Sequence, residues 1–281
     1  MIQTGLYVIA CPIGDYDDIT VRALRVLNQV DVIAAEDTRA ARNLLTFHRI
    51  KAGNRLISCH EHNEQQRLTE LMARLHDGAS VALISDAGTP TVSDPGFQLV
   101  RKAIEEGIPV VPVPGVSAVT AALSVSGLPT DAFFYEGFLP KKRGKRDKRL
   151  NDLAGITASL IFFESPQRIV ETLGELMTSF GDRPAVLCRE MTKPYQEFLR
   201  GRLSDIRADL EGRDTVKGEI TLVVAGNPGP TTEIDSLDIA REMRENPRLS
   251  ASALASLLSA KYGLPKRRIY EEIVRTKRDG G

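Results

Sequence analysis

Ser85-Asp86-Ala87-Gly88-Thr89-Pro90 follows directly on the apolar run Val81-Ala82-Leu83-Ile84 and stands just before Asp94-Pro95-Gly96, which reads as a helix start. A short apolar strand, a small polar turn bearing a glycine, and then a helix make up an α/β unit. In an open α/β sheet, ligands bind outside the carboxyl ends of the strands. Gly88 permits close approach of a backbone, Asp86 offers a carboxylate, and Pro90 stiffens the exit. A single hexapeptide of this kind reads equally as an ordinary tight turn. Similar turns at other strand ends tip the reading towards a ligand edge.

The unit recurs through the first half. Leu6-Tyr7-Val8-Ile9-Ala10 is a β-rich run ended by Cys11-Pro12-Ile13-Gly14. Asp18-Ile19-Thr20 then opens a helical pattern with Ala23, Leu24, Leu27 and Val30 on one face. Asp31-Val32-Ile33-Ala34-Ala35 is a second strand, ended by Glu36-Asp37-Thr38-Arg39. Leu56-Ile57-Ser58-Cys59 is a third, ended by His60-Glu61-His62-Asn63, with Leu68, Leu71, Met72 and Leu75 at helical spacing beyond it. The helix after the hexapeptide stops at Gly107, a good position for a left-handed cap. Ile108-Pro109-Val110-Val111-Pro112-Val113 is a fifth strand, ended by Pro114-Gly115-Val116-Ser117-Ala118. Near-continuous apolar strands alternating with helices predict a parallel sheet covered on both faces, with all its turns on one edge. No G-x-G-x-x-G follows the first strand and no G-x-x-x-x-G-K-[ST] occurs, which argues against the usual dinucleotide and P-loop chemistry.

The second half mixes hairpin and crossover links, so a mixed sheet is expected. Phe133-Phe134-Tyr135-Glu136-Gly137-Phe138 reads as a strand and leads into a basic loop, residues 141–149. Ser159-Leu160-Ile161-Phe162-Phe163 is another strand, and Ser165 as N-cap with Pro166 at the first helical position starts its helix. Ala185-Val186-Leu187-Cys188 pairs as a hairpin with Glu197-Phe198-Leu199-Arg200-Gly201, and residues 218–226 form the last strand. Residues 227–232 are a linker by composition. Beyond it, Ser250 caps a helix, Gly263-Leu264-Pro265 turns, and a last helix carries Ile269, Tyr270, Ile273 and Val274. The expected domains are a parallel α/β domain (1–113), a second α/β domain with a mixed sheet (114–230) and a small helix-turn-helix-like tail (231–281).

The bulk numbers bound the partners. Of 281 residues, 42% are hydrophobic and 26% charged, as in an ordinary globular protein. Lys plus Arg and Asp plus Glu are each 37, so binding to nucleic acid must come from a local patch. Three scattered cysteines, without C-x-x-C or zinc spacing, point to a reducing compartment and to no structural metal. No apolar run reaches the length of a membrane span and the start lacks the pattern of a signal peptide, so a cytoplasmic protein is expected.

Taken together, Pro12-Ile13-Gly14, Ala35-Glu36-Asp37-Thr38-Arg39, His62-Asn63-Glu64, the hexapeptide, Pro114-Gly115, Gly137-Phe138-Leu139-Pro140, Glu164-Ser165-Pro166 with Arg168, and Arg189-Glu190-Met191-Thr192-Lys193 resemble the ribosomal RNA small subunit methyltransferase I family. The likeness runs from residue 6 to about 226 and takes in the tail. Asp15 stands where the family's first turn more often has Asn, and Val116-Ser117 where it more often has Pro-Ser or Pro-Cys. The resemblance implies a tetrapyrrole-methylase fold, with two α/β domains holding S-adenosylmethionine in the cleft between them. It also implies 2′-O-methylation of cytidine 1402 in 16S rRNA by a homodimer acting on 16S rRNA or the small ribosomal subunit.

On that reading Gly14, Asp86, Ala87, Gly88, Thr89, Gly115 and Ser117 face the cofactor, with the main chain at Gly88 and Gly115 approaching it. For Gly115 a purely structural turn is an equal reading. A neutral ribose hydroxyl is a poor nucleophile, so a base is sought, Glu36 first and His60 second. Asp37, Arg39, His62 and Asn63 are placed on the substrate side, although Glu36-Asp37-Arg39 also suits a charged helix start. Lys141, Lys142, Arg143, Lys145 and Arg146 suit phosphate contacts, which give affinity rather than sequence choice. Arg168, Arg189 and Lys193 join them from the second domain. Two rivals are kept open: a methylase of the same fold acting on a small tetrapyrrole, and a non-enzymatic RNA-binding or ribosome-assembly protein.

Overall fold

The computed structural model describes residues 2–60, 62–228, 236–262 and 265–279. The chain divides into two compact units, Met1–Asn227 and Pro228–Gly281. In the first unit β1 (Gly5–Ile9), β2 (Val32–Ala35), β3 (Leu56–Ser58), β4 (Ser80–Ile84) and β5 (Val110–Val113) form a parallel sheet in the order β3-β2-β4-β1-β5. Helices α1 (Val21–Gln29), α2 (Thr38–Phe47), α3 (Glu64–His76) and α4 (Phe97–Glu105) connect them.

The chain steps outward from β1 through β2 to β3, then returns to β4 and crosses to β5. Right-handed crossovers taken in opposite directions put their helices on opposite faces. Tyr7, Ile9, Ile33, Ala82 and Ile84 accordingly pack with Leu27, Leu44 and Leu45 of α1 and α2. Their neighbours Leu6, Val32, Val81 and Leu83 pack with Leu71, Leu75 and Leu99 of α3 and α4. The strands are apolar throughout because alternate side chains enter two covered faces.

The second sheet holds β6 (Phe133–Phe138), β7 (Ser159–Glu164), β8 (Pro184–Arg189), β9 (Glu197–Arg202) and β10 (Ile220–Val224) in the order β6-β7-β10-β8-β9. β6 and β7 are parallel, while the remaining pairs are antiparallel, so the sheet is mixed as expected. One face packs on α5 (Ala118–Ser126) through Val119, Ala122 and Leu123. The other lies under α6 (Arg143–Ala154), α7 (Ile169–Phe180) and α8 (Leu203–Glu211).

Two local expectations give way. The basic run is a helix from Arg143 rather than a loop, because Arg146, Leu150 and Leu153 share its buried face. Neither Ser165 nor Pro166 begins α7; the helix starts at Ile169 after a turn in which the Ser165 carbonyl accepts from the amides of Arg168 and Ile169. Helices α5 and α8 have no counterpart in the sequence reading.

The second unit contains α9 (Ser236–Glu245), α10 (Ala251–Tyr262) and α11 (Lys266–Asp279) around Ile239, Leu254, Leu258, Ile269 and Ile273. The Ser250 hydroxyl caps α10 by accepting from the Ala253 amide at 3.2 Å. Most of the expected linker, residues 229–232, and Gly263 and Leu264 of the expected turn lie outside the described residues. Among the described residues no helix is long and apolar enough to cross a membrane.

The two sheets meet where Gly14 lies against the loop after β8. A Cβ on Gly14 would stand 2.5 Å from Lys193 Cγ, 2.6 Å from Thr192 Oγ1 and 2.8 Å from the Met191 carbonyl. Gly14→Ala is therefore expected to cost about 1–3 kcal/mol, read as a lowered Tm in thermal unfolding.

Candidate active site between the two sheets

The carboxyl ends of β1, β2, β4 and β5 share one edge of the parallel sheet, and backbone bonds hold their turns in place. The Cys11 amide donates to the Gly88 carbonyl at 2.7 Å, and the Gly88 amide returns a bond to the Cys11 carbonyl at 3.0 Å. The turn after β4 is thus fastened to the turn after β1. The Thr89 hydroxyl donates to the Val116 carbonyl at 3.1 Å and ties in the turn after β5. The Asp37 amide donates to Asp86 Oδ1 at 2.9 Å and ties in the end of β2.

A cavity of about 360 Å³ opens between this edge and the second sheet, a size that suits a cofactor. Ala87, Gly88, Thr89 and Ser117 line it, as do Asp94, Phe138 and Glu164. Ile13, Val119, Phe163 and Met191 make its walls apolar. Ser117 caps α5 without using its hydroxyl for the purpose. Gly88 lines the wall, its amide donating to the Cys11 carbonyl and its carbonyl accepting from the Cys11 amide.

Gly14 and Gly115 stand elsewhere. Gly14 borders a separate open groove with Tyr16, Phe47 and Lys193. Gly115 lets the turn after β5 pass close to Ala10, whose Cβ would lie 3.0 Å from an added Cβ.

The acids form a cluster running from the cavity to the end of β2. Burial, followed by the charge of Glu36, pushes Asp94 up to about 7 against the pull of the Ser85 hydroxyl. Burial and then Asp86 raise Glu36, while the Asp86 amide and His60 oppose the rise. His60 keeps a buried Nδ1 without a hydrogen-bond partner, and its ring stands 6.0 Å from that of His62, edge to face. Cys11, beside Asp86 and Asp94, is pushed up to about 12, chiefly by burial, and its thiol stays protonated.

Several proposed substrate-side groups already have partners. Asp37 caps α2 through the Arg39 amide at 2.7 Å and pairs with the Arg39 guanidinium at 3.1 Å. Asn63 accepts from the His60 amide at 2.8 Å and donates to Ser58, so its amide shapes the loop. Arg189 links Glu197 to the Lys217 carbonyl, and Lys193 sits between Glu190 at 2.9 Å and Glu219 at 3.0 Å. The expected phosphate contact at Arg146 gives way to burial: its guanidinium donates to Thr172 at 2.8 Å and pairs with Glu175. Thr172 donates onward to Glu164 at 2.7 Å, and Arg168 lies 3.7 Å from the same carboxylate. Lys141, Lys142, Arg143 and Lys145 are exposed around the first turn of α6.

Sequence reasoning left out Asp94, Glu164 and Phe138 as cavity residues. Asp94 carried a signal, since it lies on the same strand end as the hexapeptide and just ahead of a glycine helix start.

Residues 5–207 match the family described as Tetrapyrrole (Corrin/Porphyrin) Methylases. The chain is 44% identical over 278 residues to the ribosomal RNA small subunit methyltransferase I of Micromonospora olivasterospora, covering 98% of this chain and 88% of the relative. It is 44% identical over 282 residues to the protein of that name from Mesorhizobium japonicum, covering 100% and 95%. The crystal structure of uroporphyrin-III C-methyl transferase from Thermus thermophilus, complexed with S-adenyl homocysteine, superposes with a TM-score of 0.56 at 20% identity, covering 78% of this chain and 96% of that one.

The Asp94 geometry yields a pH test. The folded chain holds this proton between about pH 4 and pH 7 and the unfolded chain does not, so Asp94 erodes stability as the pH rises through that window. Asp94→Asn removes the cost, and its Tm gain over the parent is expected to be larger at pH 8 than at pH 5.

Proposed function

The chain belongs to the ribosomal RNA small subunit methyltransferase I family within the tetrapyrrole methylases, and on that premise we propose that it methylates the ribose 2′-hydroxyl of cytidine 1402 in 16S rRNA, using S-adenosylmethionine. One observation carries the reading. The likeness to the ribosomal RNA enzymes spans both sheets and the helical unit at high identity, whereas the likeness to the uroporphyrin enzyme is one of fold.

The cavity suits the cofactor. Ile13, Val119 and Met191 offer apolar surface to an adenine, the Thr89 and Ser117 side chains add hydroxyls, and the acids near Asp94 favour a cationic centre. When bound, the cofactor supplies an electrophilic methyl group on a sulfonium. Ala87, Gly88, Thr89 and Ser117 hold the cofactor side, and Asp86 acts through its charge. Glu36 is the candidate to take the hydroxyl proton, because burial and Asp86 make its carboxylate more basic than usual. His60 stands second.

Phosphates meet Lys141, Lys142, Arg143 and Lys145. These cations crowd the start of α6, where the helix dipole is already positive. Such an arrangement is unfavourable for the helix and favourable for an anion. The protein acts in the cytoplasm as a homodimer, a state that sedimentation of the purified chain checks.

The direct test is transfer of label from methyl-tritiated S-adenosylmethionine to unmethylated small subunits, naked 16S rRNA and a tetrapyrrole. Alkali-resistant label at one cytidine is expected. Label in the tetrapyrrole alone would move the chain to the small-molecule branch of the fold. RNA binding without any label would favour a binding protein.

Glu36→Gln is expected to lower kcat by about 10²–10⁴-fold while leaving cofactor affinity intact. Changing Lys141, Lys142, Arg143 and Lys145 together to Gln should weaken RNA binding and flatten its log–log salt slope by roughly 0.7–0.9 for each phosphate that is no longer neutralised.

A further inference from the structure

β6 is an edge strand with a defect near its end. Its register against β7 shifts between Tyr135 and Gly137, leaving Glu136 as an extra residue. Residues three apart on an unbroken strand face opposite sides. Here Tyr135 and Phe138 both rest edge-on against Phe163, at 5.1 Å and 5.7 Å between ring centres. The bulge has re-aimed Phe138.

Gly137 makes this possible. It holds φ +74°, and an added Cβ would stand 2.8 Å from Ser93 Oγ and 3.4 Å from the Tyr135 hydroxyl. Those two hydroxyls hydrogen-bond at 2.6 Å, which braces the end of β6 against the loop that carries Asp94. Phe138 is thereby held at the cavity while 56% of its surface stays exposed. An aromatic ring supported on its inner side and open on its outer side does little for the core. It does offer a platform to a planar ligand.

We propose that Phe138 is a substrate-positioning residue that stacks on the nucleobase of the methylated nucleotide. The inference rests on the RNA methyltransferase reading above and deepens it. Arg149, which precedes the buried Leu150, is held by Glu136, the extra residue of the same bulge, so the basic helix and the platform share one anchor. Phosphate contacts on α6 supply affinity without choosing a base. Phe138 holds the base plane and so sets where the attached ribose presents its hydroxyl.

The test compares Phe138→Ala, Phe138→Leu and Phe138→Trp in the full-length chain. Two quantities are read: the dissociation constant for S-adenosylhomocysteine, and KM and kcat for unmethylated small subunits. Phe138→Ala should leave S-adenosylhomocysteine affinity within about twofold and lower kcat/KM for the subunit by roughly 5- to 150-fold, the range for loss of one base–aromatic stack. Phe138→Trp should restore it. Phe138→Leu, which keeps apolar bulk without a π-face, should resemble Phe138→Ala.

Equal rescue by Leu and Trp would overturn stacking. So would a Phe138→Ala variant that binds S-adenosylhomocysteine poorly with an unchanged subunit KM, which would make the ring a cofactor wall. If the unaltered protein transfers no methyl group to RNA, the functional reading fails and this inference falls with it. If it does transfer and Phe138→Ala is indistinguishable from it, the inference alone fails.

Discussion

The approach of Gly14 to residues 191–193 is the contact on which the cavity depends. Two sheets enclose a cleft only if something holds their edges in register on one side. Here the Asp15 amide donates to Thr192 Oγ1 at 3.0 Å, while Ile13, in the turn after β1, packs with Val119 and Met191 in a core built on the second sheet. The loop that meets them carries Glu190 and Thr192 at positive φ, a conformation that side chains of this kind seldom adopt. Lys193, fixed between Glu190 and Glu219, holds that loop from within. A glycine on one side and a strained loop on the other let the backbones come closer than ordinary side chains would permit.

The first sheet was legible in the sequence because its physics is local. Each strand is a short apolar run, each run is closed by a glycine or polar turn, and the alternation with helices makes the sheet parallel, while the strand order itself is not written in any local pattern. The second half was harder. α5 is apolar and small nearly all round, so it shows little periodicity. The basic composition of α6 hides Leu150 and Leu153, and its buried face also contains Arg146, an arginine that donates to Thr172 and pairs with Glu175. In the site, Ala87, Gly88, Thr89 and Ser117 could be named from turns. Phe138 could not, since nothing in its spacing announces the bulge that re-aims it.

Charge is distributed with a direction. Acids gather along the carboxyl edge of the parallel sheet, at Glu36, Asp86 and Asp94, whereas exposed cations gather at the start of α6. A chain with no net charge therefore presents two opposed local fields. Fields of this kind attract an anion at α6 and repel one at the acidic edge. The buried link from Arg146 through Thr172 to Glu164 joins the cationic helix to the cavity wall.

The strand order also governs how the protein is made. β1 is synthesised first, yet its neighbours are β4 and β5, so it lacks a partner until residues 80–113 have emerged from the ribosome. The second sheet poses the same problem in reverse. β10, its central strand, arrives last and must enter between β7 and β8. Neither sheet is complete until its inner strand, β4 or β10, has inserted, and each exposes unpaired apolar strand edges while it waits. A nascent chain of this topology keeps apolar strands unpaired during two separate intervals, the second ending only when residue 224 has been released from the exit tunnel.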